Sequence, residues 1–450
     1  MTTRQRPARP VPVPAAPWRF PDVRQQRLDN GLTVLACDLP GQDVLSAEFI
    51  VGIPLALEPR DLEGVMGITA SALAEGIPGL GPVDFVHELE LIGATLGVGA
   101  EHSGLRITVD VPGPHLERAL ALLTAALREP LLPAGSVDRL VRSRVHASAR
   151  NRADAERRSS MELHTAVFAP EDRRARPARG TADTVRRIDR DAVADFHRAF
   201  VRPAVTTVAV AGDLTRYRAD PVLRRVLGGW DGAPGALEFP TPPPVRTGPA
   251  VVLVDRPEAV QTRLLLGAAA PGRTSPDWDA LLIGNHCLGG SVNARLDREL
   301  RETKGYTYGF HSRLLAVPQR SLAVITGAVE TSATAAALGD VNRILHDLDQ
   351  ADITEQERAA AVAQIVDAAP LRYLTASDVA EELAYLALDR RDPAVLPDAF
   401  LRTAAVTTAE ASAVLRAAFP VDRMVTVAVG NLAAYRDEVV ESARGPVLVL

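Results

Sequence analysis

The residues with the most chemical promise in this 450-residue chain lie close together: Leu288-Gly289-Gly290-Ser291, Arg295-Leu296, Glu299-Leu300-Arg301-Glu302 and Lys304-Gly305-Tyr306-Thr307-Tyr308-Gly309. Arg301 and Tyr308 stand seven apart. A guanidinium and a phenol O–H both donate hydrogen bonds, and such donors stabilise negative charge developing on a carbonyl oxygen. Each also has ordinary structural employment, an arginine capping a helix and a tyrosine packed in a core. Gly289 and Gly290 let another backbone come close, and a plain turn explains them equally well. Histidine chemistry is sparse. Among the nine histidines, His87-Glu88-Leu89-Glu90 and Glu101-His102 are the near pairings with carboxylates, and neither has a second histidine at helical spacing. His286, just before the Gly-Gly pair, is a candidate substrate contact, with a packed core histidine as the alternative.

The elements that must position these residues fall into two halves. Residues 232–248 crowd prolines and glycines between two better-patterned regions and read as an extended linker. Ala199-Phe200, Thr207-Val208-Ala209-Val210, Gly212, Leu214 and Tyr217 recur as Ala418-Phe419, Thr426-Val427-Ala428-Val429, Gly430, Leu432 and Tyr435. A fainter echo opens the halves, Gly31-Leu32-Thr33-Val34-Leu35 against Gly248 and Val251-Val252-Leu253-Val254. One unit of roughly 200 residues has been duplicated. Within a unit, runs such as Thr33 to Cys37, Leu105 to Val111 and Val205 to Ala211 predict strands, whereas His115 to Arg128 and Val137 to Arg157 have helical spacing. Strands cluster rather than alternating with helices, which predicts an α+β fold with a mainly antiparallel sheet covered by helices on one face. Gly97-x-Gly99 has His102 where a dinucleotide fingerprint needs its third glycine, and no phosphate loop occurs.

The string from Leu288 to Gly309 resembles the second-domain signature of the pitrilysin/insulinase family of zinc peptidases, and Asp255-Arg256-Pro257 with Gln261 resembles that family's domain opening. The resemblance covers about residues 25–440 and implies two homologous lobes. It also implies that Arg301 and Tyr308 serve a peptidase centre, the tyrosine supporting the oxyanion and the arginine the substrate backbone, with Gly289, Gly290 and Ser291 near the substrate. It further implies an inverted zinc motif, H-x-x-E-H, in the first half. Aligned on Gly64 and Gly76, the chain places Gly67 and Ser71 where the histidines belong and Ala70 where the base belongs. The third ligand, a glutamate in the family, falls in Arg142 to Arg152, a stretch without any carboxylate. No metal is therefore expected in this chain. The pattern is that of a non-catalytic subunit completing the active site of a zinc-bearing family partner, in a heterodimer that acts on short or unfolded peptides. The alternatives are a purely structural or peptide-binding homologue, and an autonomous peptidase with unconventional ligands.

Composition fits this picture. The net charge of −6 and 47% apolar content describe a globular protein with no basic stripe for nucleic acid. Lys304 is the single lysine among the 50 basic residues, which reads as genomic base composition. Cys37 and Cys287 exclude a disulfide framework and suit the cytoplasm, and no segment approaches the ~18 uninterrupted apolar residues of a membrane span. The expected organisation is a flexible Pro/Arg-rich arm at 1–22, a first domain at 23–231, the linker at 232–248 and a second domain at 249–450.

Overall fold

The apolar runs pair into two six-stranded sheets, one in each half of the computed structural model, which describes residues 18–246, 248 and 250–450. The first sheet is built from β1 (Val23–Arg27), β2 (Thr33–Asp38), β3 (Val44–Val51), β4 (Thr95–Glu101), β5 (Gly104–Pro112) and β6 (Thr206–Gly212), in the order β1-β2-β6-β3-β5-β4. The second is built from β7 (Ala250–Asp255), β8 (Gln261–Pro271), β9 (Phe310–Leu315), β10 (Arg320–Glu330), β11 (Val425–Gly430) and β12 (Val447–Val449), in the order β12-β7-β11-β8-β10-β9. Neighbours run antiparallel except β2 with β6, and β7 with β11 and β12. The repeated string lies in β6 and β11, each between one parallel and one antiparallel partner. Leu35 faces Ala209 across β2–β6 as Leu253 faces Ala428 across β7–β11, so the fainter echo is the parallel partner of the stronger one.

Strands β6 and β11 are nearly unbroken apolar runs because both faces of each sheet are covered. This corrects the expectation of helices on one face. One face of the first sheet packs on helices of its own half, where Phe49, Val208 and Val210 share a core with Ile68, Leu120, Leu123 and Phe196. The opposite face, carrying Leu35, Ala209 and Ala211, packs on Val379, Ala380 and Leu383 of the Ala376–Leu388 helix, which belongs to the second half. The second sheet mirrors this: Leu265, Val427 and Val429 pack on Leu163 and Val167 of the Ala155–Val167 helix and on Phe168, all from the first half. The halves thus exchange a helix. Arg106 fastens one side of the exchange, bidentate on buried Glu48 (2.8 and 2.9 Å) and reaching Glu381 of the incoming helix at 3.1 Å. Arg263 and Glu156, 3.1 Å apart, tie the other. Swinging one half away from the other would expose both apolar layers, so the two lobes form one mechanical body.

The exchange explains a second departure from expectation. The helix predicted over Val137 to Arg157 is two helices, Ala134–Ala153 and Ala155–Val167, broken at Asp154. Asp154 has extended backbone, and its carboxylate accepts the Arg157 amide at 2.8 Å, capping the new helix as it turns toward the other lobe. The arm also needs correction. Residues 1–17 lie outside the described part, but Trp18 and Phe20 are docked: the Trp18 ring stacks on Tyr373 at 5.4 Å, and Phe20 is buried in the cluster that holds Val379 and Phe400. The linker runs without regular structure across both lobes, held by the Pro243 carbonyl, which accepts from Arg320 at 2.6 Å, and by Arg390 over the Phe239 ring.

Candidate functional site: a metal locus without ligands and an exposed donor pair

The helix Val65–Ala72 carries the positions where a zinc motif would stand. Its entry is built tightly. Gly64 has φ +102°, and a Cβ there would meet the Arg179 carbonyl oxygen at 2.7 Å; Gly76, also φ +102°, would meet the Leu80 carbonyl oxygen at 2.6 Å. Only glycine fits either place. The buried Glu58 carboxylate accepts the Gly64 and Met66 amides, both at 3.0 Å, and binds Arg173 at 2.7 and 3.1 Å. Arg173 in turn donates to the carbonyls of Arg176, Pro177 and Ala178, which lays residues 176–180 over the start of the helix.

On this frame Gly67 and Ser71 share the half-exposed face, one turn apart, while Ala70 is buried. The Ser71 hydroxyl turns back to donate to the Gly67 carbonyl at 3.1 Å. The Ala134–Ala153 helix packs alongside. Arg139 on it pairs with Glu75 at 2.6 Å, and further along Arg144 lays its guanidinium over Gly67, with its atoms 3.7 to 4.0 Å from where a Cβ would sit. A cation therefore occupies the neighbourhood in which the family places a metal. Burial, reinforced by Arg179, lowers the Arg144 pKa. Neither Arg144 nor Arg179 has a hydrogen-bond or ion-pair partner among the described side chains. Glycine, alanine and serine offer no zinc ligand set, and a guanidinium beside them repels one, so these residues do not fit zinc.

Arg301 and Tyr308 belong to the chain's other lobe, shortly before β9. The helix Arg295–Asp297 continues into a wide turn over Arg298–Thr303, where the Lys304 amide reaches back to the Glu299 carbonyl at 3.0 Å. Wide turns of this kind occur often at functional sites. Asp297, fully buried, organises the region: its carboxylate accepts the Phe310 amide at 2.6 Å and lies 3.5 Å from the Arg301 guanidinium and 3.8 Å from His311. It thereby ties the turn bearing Arg301 to the first residue of β9, two positions after Tyr308. Thr307 secures the tip, donating to the Ala328 carbonyl at 2.7 Å and accepting the Gly309 amide at 3.1 Å. The Tyr308 side chain projects from this ordered tip with 92% of its surface exposed. Arg301 also touches Glu302 at 2.7 Å. Sequence reasoning missed Asp297 and Arg144; the signals available were a carboxylate four before Arg301 and an arginine in the segment where a glutamate was sought.

The glycine pair separates. Gly289 is buried, and a Cβ there would lie 2.4 Å from the Ser312 amide nitrogen and 2.7 Å from Leu296, so its role is internal packing beneath β9 rather than the substrate contact expected of it. Gly290 is exposed, and Ser291 lines a cleft of about 800 Å³ with His286, Asn293 and Arg298. Burial lowers the His286 pKa. Among the described residues there is no group of three or more His, Cys, Asp or Glu side chains placed to hold a metal ion, and no helix is long and apolar enough to cross a membrane.

Comparison with known proteins completes this geometry. Residues 187–365 match the family model described as Peptidase M16 inactive domain. The crystal structure of a peptidase M16 inactive domain from Pseudomonas fluorescens superposes with a TM-score of 0.83, at 21% identity, over 91% of this chain and 98% of that one. The chain thus has the fold of the M16, or pitrilysin, proteins, and residues 187–365 are similar to that family in sequence. The matching model and the matching structure are both described as inactive M16 domains, and Gly67, Ala70 and Ser71 carry no side chain that binds zinc as histidine does. An uncharacterized zinc protease of Mycobacterium leprae is 26% identical over 301 residues, so that this chain spans about two thirds of that relative's length, 66%. The periplasmic protease PqqL of Escherichia coli shares the fold with a TM-score of 0.76 at 15% identity; the match covers 96% of this chain but 49% of PqqL. One such chain has the size of half of PqqL.

Proposed function

We propose that this M16 protein is the non-catalytic, active-site-completing subunit of a two-chain zinc peptidase acting on short or unfolded peptides. The observation that carries the reading is Tyr308, presented almost wholly exposed on an ordered tip that Asp297 ties to the turn bearing Arg301, in a chain where an arginine lies over Gly67. Two supports follow from the fold. The exchanged helices lock the halves together, so a chamber that opens and closes needs a second chain as its other wall. The match to 49% of PqqL fits the same arithmetic, two such units making one complete enclosure. The partner would be a family member with an intact H-x-x-E-H motif, whose residues would hold a zinc ion able to supply Lewis-acid activation of the peptide carbonyl. The Tyr308 phenol and the Arg301 guanidinium then donate to the oxygen on which negative charge develops and to the neighbouring peptide backbone. The same proposal takes the cytoplasm as its compartment, which cell fractionation tests.

The test is to purify the chain alone and with its zinc-bearing partner and to assay an unstructured peptide. The lone chain should be inert, and Tyr308→Phe should slow the complex roughly a hundredfold, about 3 kcal/mol. Cleavage by the lone chain, or a complex indifferent to Tyr308→Phe, would overturn the proposal. A purely structural role has one observation in its favour, the contacts of Arg301 with Asp297 and Glu302. Arg301→Ala with no change in the complex's turnover would establish that reading instead.

A further inference from the structure

The locus at Gly67 is suited to a charge opposite to that of a metal. We infer that Arg144 and Arg179, at the half-exposed Gly67–Ser71 face, form a carboxylate-binding site that takes the C-terminal carboxylate, or an acidic side chain, of a bound peptide. Gly67 leaves open the volume above the helix into which the Arg144 guanidinium reaches, and the helix backbone there is occupied by no side chain. The Arg179 backbone is fixed at the start of the same helix, its carbonyl wedged against Gly64, one turn before Gly67, by the Glu58–Arg173 clamp, and its charge is felt by Arg144. The contrast with Arg139 is instructive: on the same helix pair, one arginine meets Glu75 and the other meets no carboxylate. The Arg144 guanidinium, partly withdrawn from water and within reach of the Arg179 charge, gains from an anion that joins the two, and a planar carboxylate matches the guanidinium fork. Ser71, whose hydroxyl now bonds only within its own helix, lies one turn along and can donate to the same group. The nearby Glu58 and Glu63 carboxylates are taken up by Arg173 and Arg176, so the positive potential of the two arginines, unpaired among the described residues, also steers anionic peptide ends toward this face.

This inference rests on the peptide reading above, and its test uses the chain without its partner, so that the two can fail separately. A fluorescein-labelled decapeptide without acidic side chains would be titrated, by anisotropy, as the free C-terminal acid, as the C-terminal amide, and as the amide with one internal glutamate. The free acid should bind at least tenfold more tightly than the plain amide, and Arg144→Gln should remove that difference while Arg144→Lys retains part of it. Binding of the glutamate-bearing amide as tightly as the free acid assigns the site to acidic side chains; its failure to bind assigns it to the peptide end. Arg144→Gln is expected to melt no lower than the wild type, since the guanidinium has no partner to lose. Equal binding of acid and plain amide, no binding of the acid at about 1 mM, or an unchanged preference in both Arg144→Gln and Arg179→Gln would overturn it. The rate of the complex carrying Tyr308→Phe bears on the peptidase subunit role alone and is independent of these titrations.

Discussion

Rebuilding the zinc motif in this chain should not rebuild a zinc site, and the reason is Arg144. The variant Gly67→His, Ala70→Glu, Ser71→His restores the two histidines and the base. The backbone allows it at Gly67, where a Cβ would meet nothing closer than 3.7 Å. That nearest neighbour, however, is the guanidinium. With the ion about 5 Å from this charge and an effective dielectric constant of about 20, a divalent and a monovalent cation repel by roughly 7 kcal/mol. Half of that would still lower zinc affinity more than a hundredfold. The variant also lacks a third protein ligand, which catalytic zinc sites require. Adding Arg144→Glu removes the repulsion and supplies a carboxylate from the segment where the family has one. The measurement is zinc content after gel filtration, with affinity from competition against a chromogenic chelator. The triple variant should hold well under one zinc per chain, and the quadruple variant should bind at least a hundredfold more tightly. Stoichiometric zinc in the triple variant would refute the reasoning, because it would show that Arg144 swings away at little cost.

Two further outcomes follow from the packing. Leu383, fully buried between the exchanged helix and the first sheet, should cost about 2–5 kcal/mol when replaced by alanine; because the lobes hold each other's outer sheet faces, calorimetry of Leu383→Ala should still give one transition, and two separated transitions would contradict the exchange as the source of cohesion. His102 has its pKa held down to about 4 by burial, with His164, Arg173 and Arg174 adding to the effect. The unfolded chain titrates near its ordinary value and so binds more protons between about pH 6.5 and 4, which makes stability fall as pH drops through that window, by about 2–3 kcal/mol; His102→Gln should flatten this part of the melting profile, and an unchanged slope would show that other groups dominate it.

The legible part of this molecule is what backbone and burial dictate locally. The repeated Thr-Val-Ala-Val strings announced β6 and β11 because strands buried on both faces tolerate nothing else, and their positions in the two sheets match. The frame glycines Gly64 and Gly76 were legible for the same reason, since each sits at φ +102° against a carbonyl. What the sequence pattern does not reveal depends on partners far away along the chain. Helical periodicity over Val137 to Arg157 runs straight through Asp154, and only the tertiary pull of the second sheet shows why the helix breaks there. The side of each sheet that its own half leaves bare carries alanines and valines that look like any core, so the exchange of helices has no sequence signature. Trp18 and Phe20 follow a proline-rich arm, and their pocket is formed by Tyr373 and Phe400, more than 350 residues away. Gly289 looked like a place for substrate because it sits beside Gly290, whereas its missing Cβ makes room for Ser312.

The contrast between frame and chemistry explains how a lobe can lose a metal and keep its shape. Gly67 and Ser71 lie on the half-exposed side of their helix, touching solvent and a flexible guanidinium, so the fold asks nothing of the side chains there. Gly64, Glu58 and Arg173 are different: the first admits no Cβ, and the other two are a buried ion pair in which removal of either partner strands a charge, at about 3–5 kcal/mol. Selection for stability alone therefore holds the cradle of the helix in place while leaving its outer face open to any residue. A cation arriving on the neighbouring helix closes the way back, because from then on each restored histidine would have to work against it. The second lobe preserves the opposite balance, since Asp297 binds Arg301, the Phe310 amide and the edge of His311 at once. There the exposed donor is supported by a buried carboxylate that packing requires, so that the geometry behind Tyr308 persists for structural reasons alone.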